Sequence, residues 1–286
     1  MIKVSPAELC EQTRKFGSKA LWQSLKELWG SCFSEKQLRE LWLAKIRERR
    51  RLMASGWYVP PPKGISVLIA KKENPGRLKY DSLRKSENWP SSIVFDAKEG
   101  VLQAYASSID KSGVVGDFGV TLYAGKDAKL IGHIKKIYKI TLKAAEMVRP
   151  GLKIKDYHHQ ALDMFEKNGL KNITFSSTDL GEINIGHSIP GTIKPFSAKE
   201  KKVIGSLKME EISDLISKKR IFISKKEDYV FKTGDCFTIE PRLISSENSK
   251  LPLIFFHMVV IVCQKKVKVL ENFKKIFKLV GMDYLN

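Results

Sequence analysis

Five side chains of the types that bind divalent ions or move protons stand out in this 286-residue sequence by the short strand-like or turn motifs that carry them. Asp117 stands in Gly116-Asp117-Phe118-Gly119, directly after the apolar pair Val114-Val115. A strand there can project the carboxylate into a cleft, while Gly119 permits close packing behind it. Asp127 follows beyond the turn-like Ala124-Gly125-Lys126. If the two aspartates occupy the arms of one hairpin, their carboxylates converge on one ion. His187 lies in Asn184-Ile185-Gly186-His187-Ser188-Ile189-Pro190-Gly191, where the glycines and the Pro-Gly turn hold the backbone in an unusual path. Glu240 ends the strand-like Thr238-Ile239-Glu240-Pro241, which Pro241 cannot extend. His257 is a lone imidazole in Phe255-Phe256-His257-Met258-Val259-Val260. Singly, each has an ordinary explanation: a core histidine, a turn aspartate, a common Glu-Pro dipeptide. Their order along the chain is what singles them out.

The elements that must position these groups can be read from apolar spacing. Ala7 to Leu28 carries Leu9, Phe16, Ala20, Leu21, Leu25 and Leu28 near helical spacing. Ser34-Glu35-Lys36-Gln37 resembles a capping box and predicts a second helix running to about Met53, before Pro60-Pro61-Pro62. Short strands are expected at Ile65–Ala70, Ser92–Phe95, Val101–Ala106 and Val114–Tyr123, then helices at Ile134–Val148 and Ile154–Asn168. The last third is strand-dominated, at Ile173–Phe175, Glu182–Ile185, Phe237–Ile239 and Ile254–Val262. The polar, basic stretch 197–226 between them is expected to be a partly helical surface insertion. Helices covering one sheet face give an α+β class, read as one domain over 1–286 with residues 1–60 as its helical N-terminal part.

Composition narrows the partners. Lys and Arg number 51 against 31 Asp and Glu, a net charge of +20. That much positive charge can attract nucleic acid, yet the lysines are dispersed and no glycine/aromatic nucleic-acid motif is present, so nucleic acid is not the favoured partner. The dense run Lys45-Ile46-Arg47-Glu48-Arg49-Arg50-Arg51 reads as a solvated helix face. The longest apolar run, Leu251–Cys263, is too short to span a bilayer, and Met1–Glu8 lacks a secretory apolar stretch. A cytoplasmic location and no membrane partner are expected. Cys10, Cys32, Cys236 and Cys263 are scattered, with no C-x-x-C pair, which argues against zinc ribbons and thioredoxin-like redox chemistry.

Several of these segments together resemble the pita-bread metallopeptidases: methionine aminopeptidases, Xaa-Pro aminopeptidases and dipeptidases, with creatinase as a non-peptidase relative. Thr238-Ile239-Glu240-Pro241 matches the family's T-I-E-P, Gly186-His187-Ser188-Ile189 resembles its G-H-G-I, and Met147-Val148-Arg149-Pro150-Gly151 resembles its K-P-G helix end. The similarity covers roughly residues 33–270. It implies a pita-bread fold, two βαβ-like halves with helices over a curved antiparallel sheet. In that family two hairpin carboxylates, the G-H-G-I histidine, the T-I-E-P glutamate and a last-strand glutamate hold two divalent ions. Carried over, this implies Asp117, Asp127, His187, Glu240 and His257 as metal ligands, His257 standing where the last glutamate is expected. Glu240 and His187 are the implied catalytic residues, Glu240 also as proton carrier. The chain departs from the pattern at Lys194, where a second histidine is expected, and at Gln103-Ala104-Tyr105, in the region of a substrate-gripping histidine.

The implied function is hydrolysis of N-terminal peptide bonds, as by an aminopeptidase or Xaa-Pro dipeptidase, with one or two Mn, Co, Fe or Zn ions and a peptide substrate. The alternative is a catalytically inactive pita-bread protein whose cleft binds a peptide, a protein or a nucleic acid. The departures from the ligand pattern favour the second; the retained Asp117, His187 and Glu240 favour the first.

Overall fold

The computed structural model describes residues 4–48, 52–53, 62–71, 75–80, 83, 85–173, 175–176, 179–206 and 208–285. Helix α1 (Pro6–Leu28) starts at Ser5, whose hydroxyl accepts from the Glu8 amide while the Glu8 carboxylate accepts from the Ser5 amide. Helix α2 (Glu35–Arg47) uses the same device with Ser34 and Gln37, as the sequence predicts. It ends short of Met53, because Leu52 and Met53 form strand β1 (Leu52–Met53), paired with Asp110 and Ile109. Sheet pairing overrides the helical spacing there. Arg49, Arg50 and Arg51 of the basic run, and Pro60 and Pro61, lie outside the described residues.

Strands β2 (Ile65–Lys71), β3 (Gly100–Asp110) and β4 (Val115–Tyr123) form an antiparallel meander, with β1 extending the β2 side. The β3–β4 turn is built by Asp110-Lys111-Ser112-Gly113. The Asp110 carboxylate accepts from the Ser112 amide at 2.8 Å, and Gly113 takes the left-handed backbone at φ 94°. Both strands are buried along their whole length, so neither shows the alternation of a half-exposed sheet. Ser92–Phe95, expected as a strand, contributes one bridge, Val94 to Ser34.

Helix α3 (Ala128–Met147) begins earlier than its apolar spacing suggests, because Asp127 caps it. Helix α4 (Ile154–Lys167) follows, and Gly169 at φ 63° closes it. Then come β5 (Leu170–Asn172), β6 (Phe175–Ser176), β7 (Asp179–Ile183), α5 (Ala198–Gly205), α6 (Met209–Lys218), β8 (Cys236–Ile239), β9 (Arg242–Ser245), β10 (Ile254–Phe255), β11 (Met258–Val262), β12 (Val267–Leu270) and α7 (Lys274–Val280). Strands β12-β11-β8 form one antiparallel sheet and β10-β9-β5 another. The halves join at β4, where Val120 bridges Phe256 and the His257 amide donates to the Gly119 carbonyl at 2.9 Å.

One apolar cluster runs from Ala20 to Leu285, and a second gathers around Cys10, Ile109, Val115, Ile189 and Val259. Segment 197–226, expected at the surface, is anchored in that second cluster by the fully buried Ile204, Ile212 and Ile216. Its lysines and acidic residues lie mostly at the surface while Ile204, Ile212 and Ile216 point in, which a reading by polarity alone misses. Among the described residues, no helix is long and apolar enough to cross a membrane.

Gly116 lets α1 lie directly on β4. A Cβ there would sit 2.3 Å from the Arg14 amide nitrogen and 2.6 Å from the Thr13 carbonyl carbon, both backbone. Gly116→Ala is therefore expected to destabilise the fold by roughly 1–3 kcal/mol, the scale of overpacking a rigid interior. Chemical denaturation measures this; an unchanged midpoint would show that α1 can lift off the sheet at no cost.

Candidate functional site

Three of the sheet's strand ends and one turn bring four of the five side chains together. Asp117 is fully buried in β4, and its Oδ1 accepts from the Ser107 hydroxyl at 2.5 Å and the Tyr105 hydroxyl at 3.2 Å. Its Oδ2 is buried with no hydrogen-bond partner. His187 sits in an extended turn held by Thr238, whose hydroxyl accepts from the His187 amide at 3.0 Å. Its Nδ1 lies 3.0 Å from the Ser188 carbonyl oxygen. A carbonyl only accepts, so Nδ1 carries the hydrogen and Nε2 presents its lone pair. That Nε2 is 3.3 Å from Glu240 Oε1 and 3.7 Å from Asp117 Oδ2. The other Glu240 oxygen, Oε2, is 3.1 Å from His257 Nε2. The His257 ring packs edge-on to Tyr105 at 5.2 Å, and its Nδ1 is buried with no hydrogen-bond partner.

Asp127 does not join them. Its carboxylate caps α3 by accepting from the Leu130 amide at 2.8 Å. Asp117 lies six residues before the end of β4 at Tyr123, a rise of roughly 20 Å at strand geometry, and Asp127 lies beyond that end. Asp117 is on the second arm of its hairpin, so its partner lies upstream: the register pairs it with Ser107. A hydroxyl therefore stands where a second hairpin carboxylate was expected.

Two arginines that sequence reading passed over complete the site. Arg14 of α1 is fully buried and donates to the main-chain oxygens of Asp117 and of His257, the latter at 2.6 Å. It also donates to the Glu271 carbonyl at 2.8 Å and to Asn272 Oδ1 at 3.1 Å. Arg220, just beyond α6, stacks over the Phe222 ring at 4.8 Å, and Phe222 in turn faces His187 at 6.1 Å. Nothing in the local sequence marks either arginine. The Asp110–Gly113 turn signal, however, did carry the information that pairs Ser107 with Asp117.

Burial sets the protonation of this cluster. It pushes the Asp117 carboxyl up to about 6, against the opposing pull of the Ser107 and Tyr105 hydroxyls. Glu240 rises to about 8 through burial and then the neighbouring charge of Asp117. His187 is held well below the usual imidazole range by burial and the Arg220 charge, and His257 by burial and then Arg14.

Residues 88–262 match the sequence profile of metallopeptidase family M24. The chain belongs to that family. No curated protein sequence matches this M24 chain. Among solved structures it is similar to methionine aminopeptidase from Rickettsia prowazekii, at 16% identity and TM-score 0.61, covering 94% of this chain and 99% of that one. X-Pro aminopeptidase from Thermotoga maritima aligns at 12% identity and TM-score 0.62, over 92% of this chain. Prolidase from Pyrococcus furiosus aligns at 14% and TM-score 0.59, again over 92%. This M24 chain spans only 59% and 62% of those last two proteins. Identities this low show the fold: it is the α+β pita-bread fold that the motifs implied.

The donors suit one divalent ion better than two. Nitrogen and oxygen ligands about 2.0–2.1 Å from a tetrahedral ion lie about 3.3 Å apart, close to the His187–Glu240 separation. The unpartnered Asp117 Oδ2 and the His187 Nε2 lone pair, with Nδ1–H engaged behind it, have the character of ligand atoms. As they stand, these side chains contact one another, and among the described residues no group of three or more His, Cys, Asp or Glu surrounds an ion-sized point. Two dications would face only the Asp117 and Glu240 carboxylates, beside the Arg14 and Arg220 charges.

A proton on Glu240 can stand in for a cation here. Its folded-state value, about 8 against 4.5 normally, means the folded state binds the extra proton, so this contribution to stability is lost as pH rises through 8. The buried histidines titrate below their unfolded value of about 6.5, and the buried Cys236 thiol, also raised, departs from its unfolded state only above about 8.5, which leaves the window between to Glu240. The melting temperature of the metal-free protein should fall between about pH 6.5 and 8, and Glu240→Gln should flatten that fall. An equal fall in wild type and variant would place the titrating group elsewhere.

Proposed function

We propose that this M24 protein is a hydrolase of N-terminal peptide bonds that works with one divalent ion held by Asp117, His187 and Glu240. The observation that carries this reading is the buried Asp117 Oδ2, unpartnered and 3.7 Å from the His187 lone pair. Burying a carboxylate oxygen with no donor is costly, and an ion would satisfy it. When bound, a Mn, Co, Fe or Zn ion lowers the pKa of a water and polarises the scissile carbonyl.

The chain's own residues divide the remaining work. His187 is fixed in its tautomer and ring orientation by Ser188, and braced by Phe222. Glu240 is the proton carrier that the family resemblance implies; in the metal-free protein burial lets its carboxyl keep a proton up to about 8, a proton it gives up where a dication is bound. His257, first assigned as a ligand, is reassigned as the group that orients Glu240. A metal-bound histidine usually donates its second N–H to a partner, and the His257 Nδ1 has none. With its hydrogen on Nε2, His257 donates to Glu240 Oε2 and leaves only a lone pair unsatisfied. Tyr105 and Ser107 hold Asp117 so that Oδ2 faces the site. Asp127 is structural in this scheme. The reading takes 1–286 as one domain in the cytoplasm, with a peptide as substrate.

A second reading is favoured by Ser107 opposite Asp117 and by His257 beside Glu240, two positions where the family resemblance implies carboxylates. On that reading the cleft binds a peptide end without cleaving it. Ion content after reconstitution with Mn, Co or Zn separates the two. About one ion per chain is expected, lost in His187→Ala and in Glu240→Ala but kept in Asp127→Ala. Substoichiometric metal under all three reconstitutions would leave only the binding reading.

If the missing carboxylates set the ion count, Ser107→Asp combined with His257→Glu should raise the content to about two ions per chain. Mass spectrometry under native conditions counts them. A variant that still holds one ion, or none, would show that these positions do not limit the site.

A further inference from the structure

Helices α1, α3 and α7 and strand β12 enclose an open cavity of about 770 Å³, lined by none of Asp117, His187, Glu240 or His257. That volume lies in the range of small-ligand sites. Its floor is apolar and aromatic, from Tyr138, Leu142, Phe273 and Ile276. Its rim is basic. Glu11 pairs with Lys268 at 2.6 Å, and Glu271 accepts from the neutral Tyr138 hydroxyl, which leaves its charge uncancelled, so two carboxylates stand against the five lysines of the lining. Among the described residues, none of Lys15, Lys19, Lys274 and Lys275 has a carboxylate within ion-pair distance.

Lys15 and Lys19 stand one helical turn apart on α1, and Trp22 follows on the same face. The Trp22 ring is only partly buried, and the ammonium groups of Lys26 and Lys275 lie 5.7 and 5.6 Å from its centroid. We propose that this cavity is a nucleotide site, with phosphates on Lys15, Lys19, Lys274 and Lys275 and the base against Trp22 and the aromatic floor. Five lysines against two carboxylates leave a net excess of three positive charges, more than a single carboxylate needs, and suit a polyphosphate. A flat π surface beside them suits a base, since proteins that hold single strands without reading sequence combine base stacking on aromatic rings with a basic surface. Dispersed surface charge does not account for the arrangement, because a diffuse field supplies no cavity and no ring. The site is independent of the peptidase reading.

Calorimetric titration of the metal-free full chain tests the assignment, with ATP, sodium tripolyphosphate, adenosine and an eight-nucleotide single strand as probes. Saturable ATP binding is expected, with tripolyphosphate and adenosine each at least about tenfold weaker, because charge and stacking both contribute. The exposed pair Lys15→Glu and Lys275→Glu should weaken ATP by about tenfold or more. Trp22→Ala should narrow the gap between ATP and tripolyphosphate, with far-ultraviolet circular dichroism confirming an unchanged fold. A strand that binds more tightly than ATP, with the same sensitivity to both changes, would identify the nucleotide as part of a nucleic acid; a strand no tighter than ATP would identify a free nucleotide. Equal affinities for ATP and tripolyphosphate, or an ATP affinity untouched by the lysine pair, would overturn the proposal.

Discussion

The Arg14 guanidinium lies against the back of the sheet and donates to the main-chain oxygens of Asp117 and His257, one from each half of the molecule. Burying an arginine is expensive, and here the cost is offset by carbonyl and amide acceptors and by the Phe118 and Phe273 rings, at 5.1 and 5.7 Å. None of its hydrogen-bond acceptors is a carboxylate, so its charge is solvated but not cancelled. Desolvation lowers its pKa only to about 10, and it stays charged at neutral pH. Two consequences reach the site from this one group. The strands carrying Asp117 and His257 are fixed relative to each other, and the positive potential of Arg14 adds to the burial that keeps His257 neutral. Asn272 adopts a left-handed backbone at φ 61° while its side chain holds the same guanidinium, so the strand end at β12 is also shaped around it.

That potential changes what the cluster can hold. Two carboxylates, two neutral imidazoles and three nearby arginine charges, Arg14, Arg220 and Arg242, form a set that tolerates one added positive charge centre more readily than two. The Glu240 carboxyl is raised against the pull of Arg220 and Arg242, by burial first and then by the Asp117 charge, so it retains a proton at a pH where an isolated glutamate would have lost it. Gly119 contributes by geometry: a Cβ there would come within 2.9 Å of the His257 ring, so only glycine lets the imidazole approach β4.

The sequence disclosed the motifs better than their mutual register. G-H-S-I and T-I-E-P sit on local backbone features, a glycine-flanked turn and a strand stopped by proline, and four of the five proposed side chains do meet. Asp127 was misplaced because spacing alone does not say which arm of a hairpin a residue occupies. The expected strands Val101–Ala106 and Val114–Tyr123 already put Asp117 on the second arm, and the Asp110–Gly113 turn then fixes Ser107 as its partner. Arg14 and Arg220 were illegible for a different reason. Long-range contacts from a helix and from a polar segment leave no periodic trace, and a buried arginine looks like any other charged residue in a string of letters. The early stop of α2 has the same origin, a sheet edge that recruits residues 52–53 against their local spacing.

Segment 197–226 enters the chain between the two strongest motifs, yet it supplies both the ring that braces His187 and the Arg220 charge felt by Asp117 and Glu240. Length changes in such a connection alter closure entropy only slowly. Descendants of this chain can therefore retune the acidity and the steric wall of the cleft by drift in one interposed stretch, leaving every candidate ligand untouched. Divergence of chemistry without divergence of the ligand motifs is the evolutionary latitude that this placement grants.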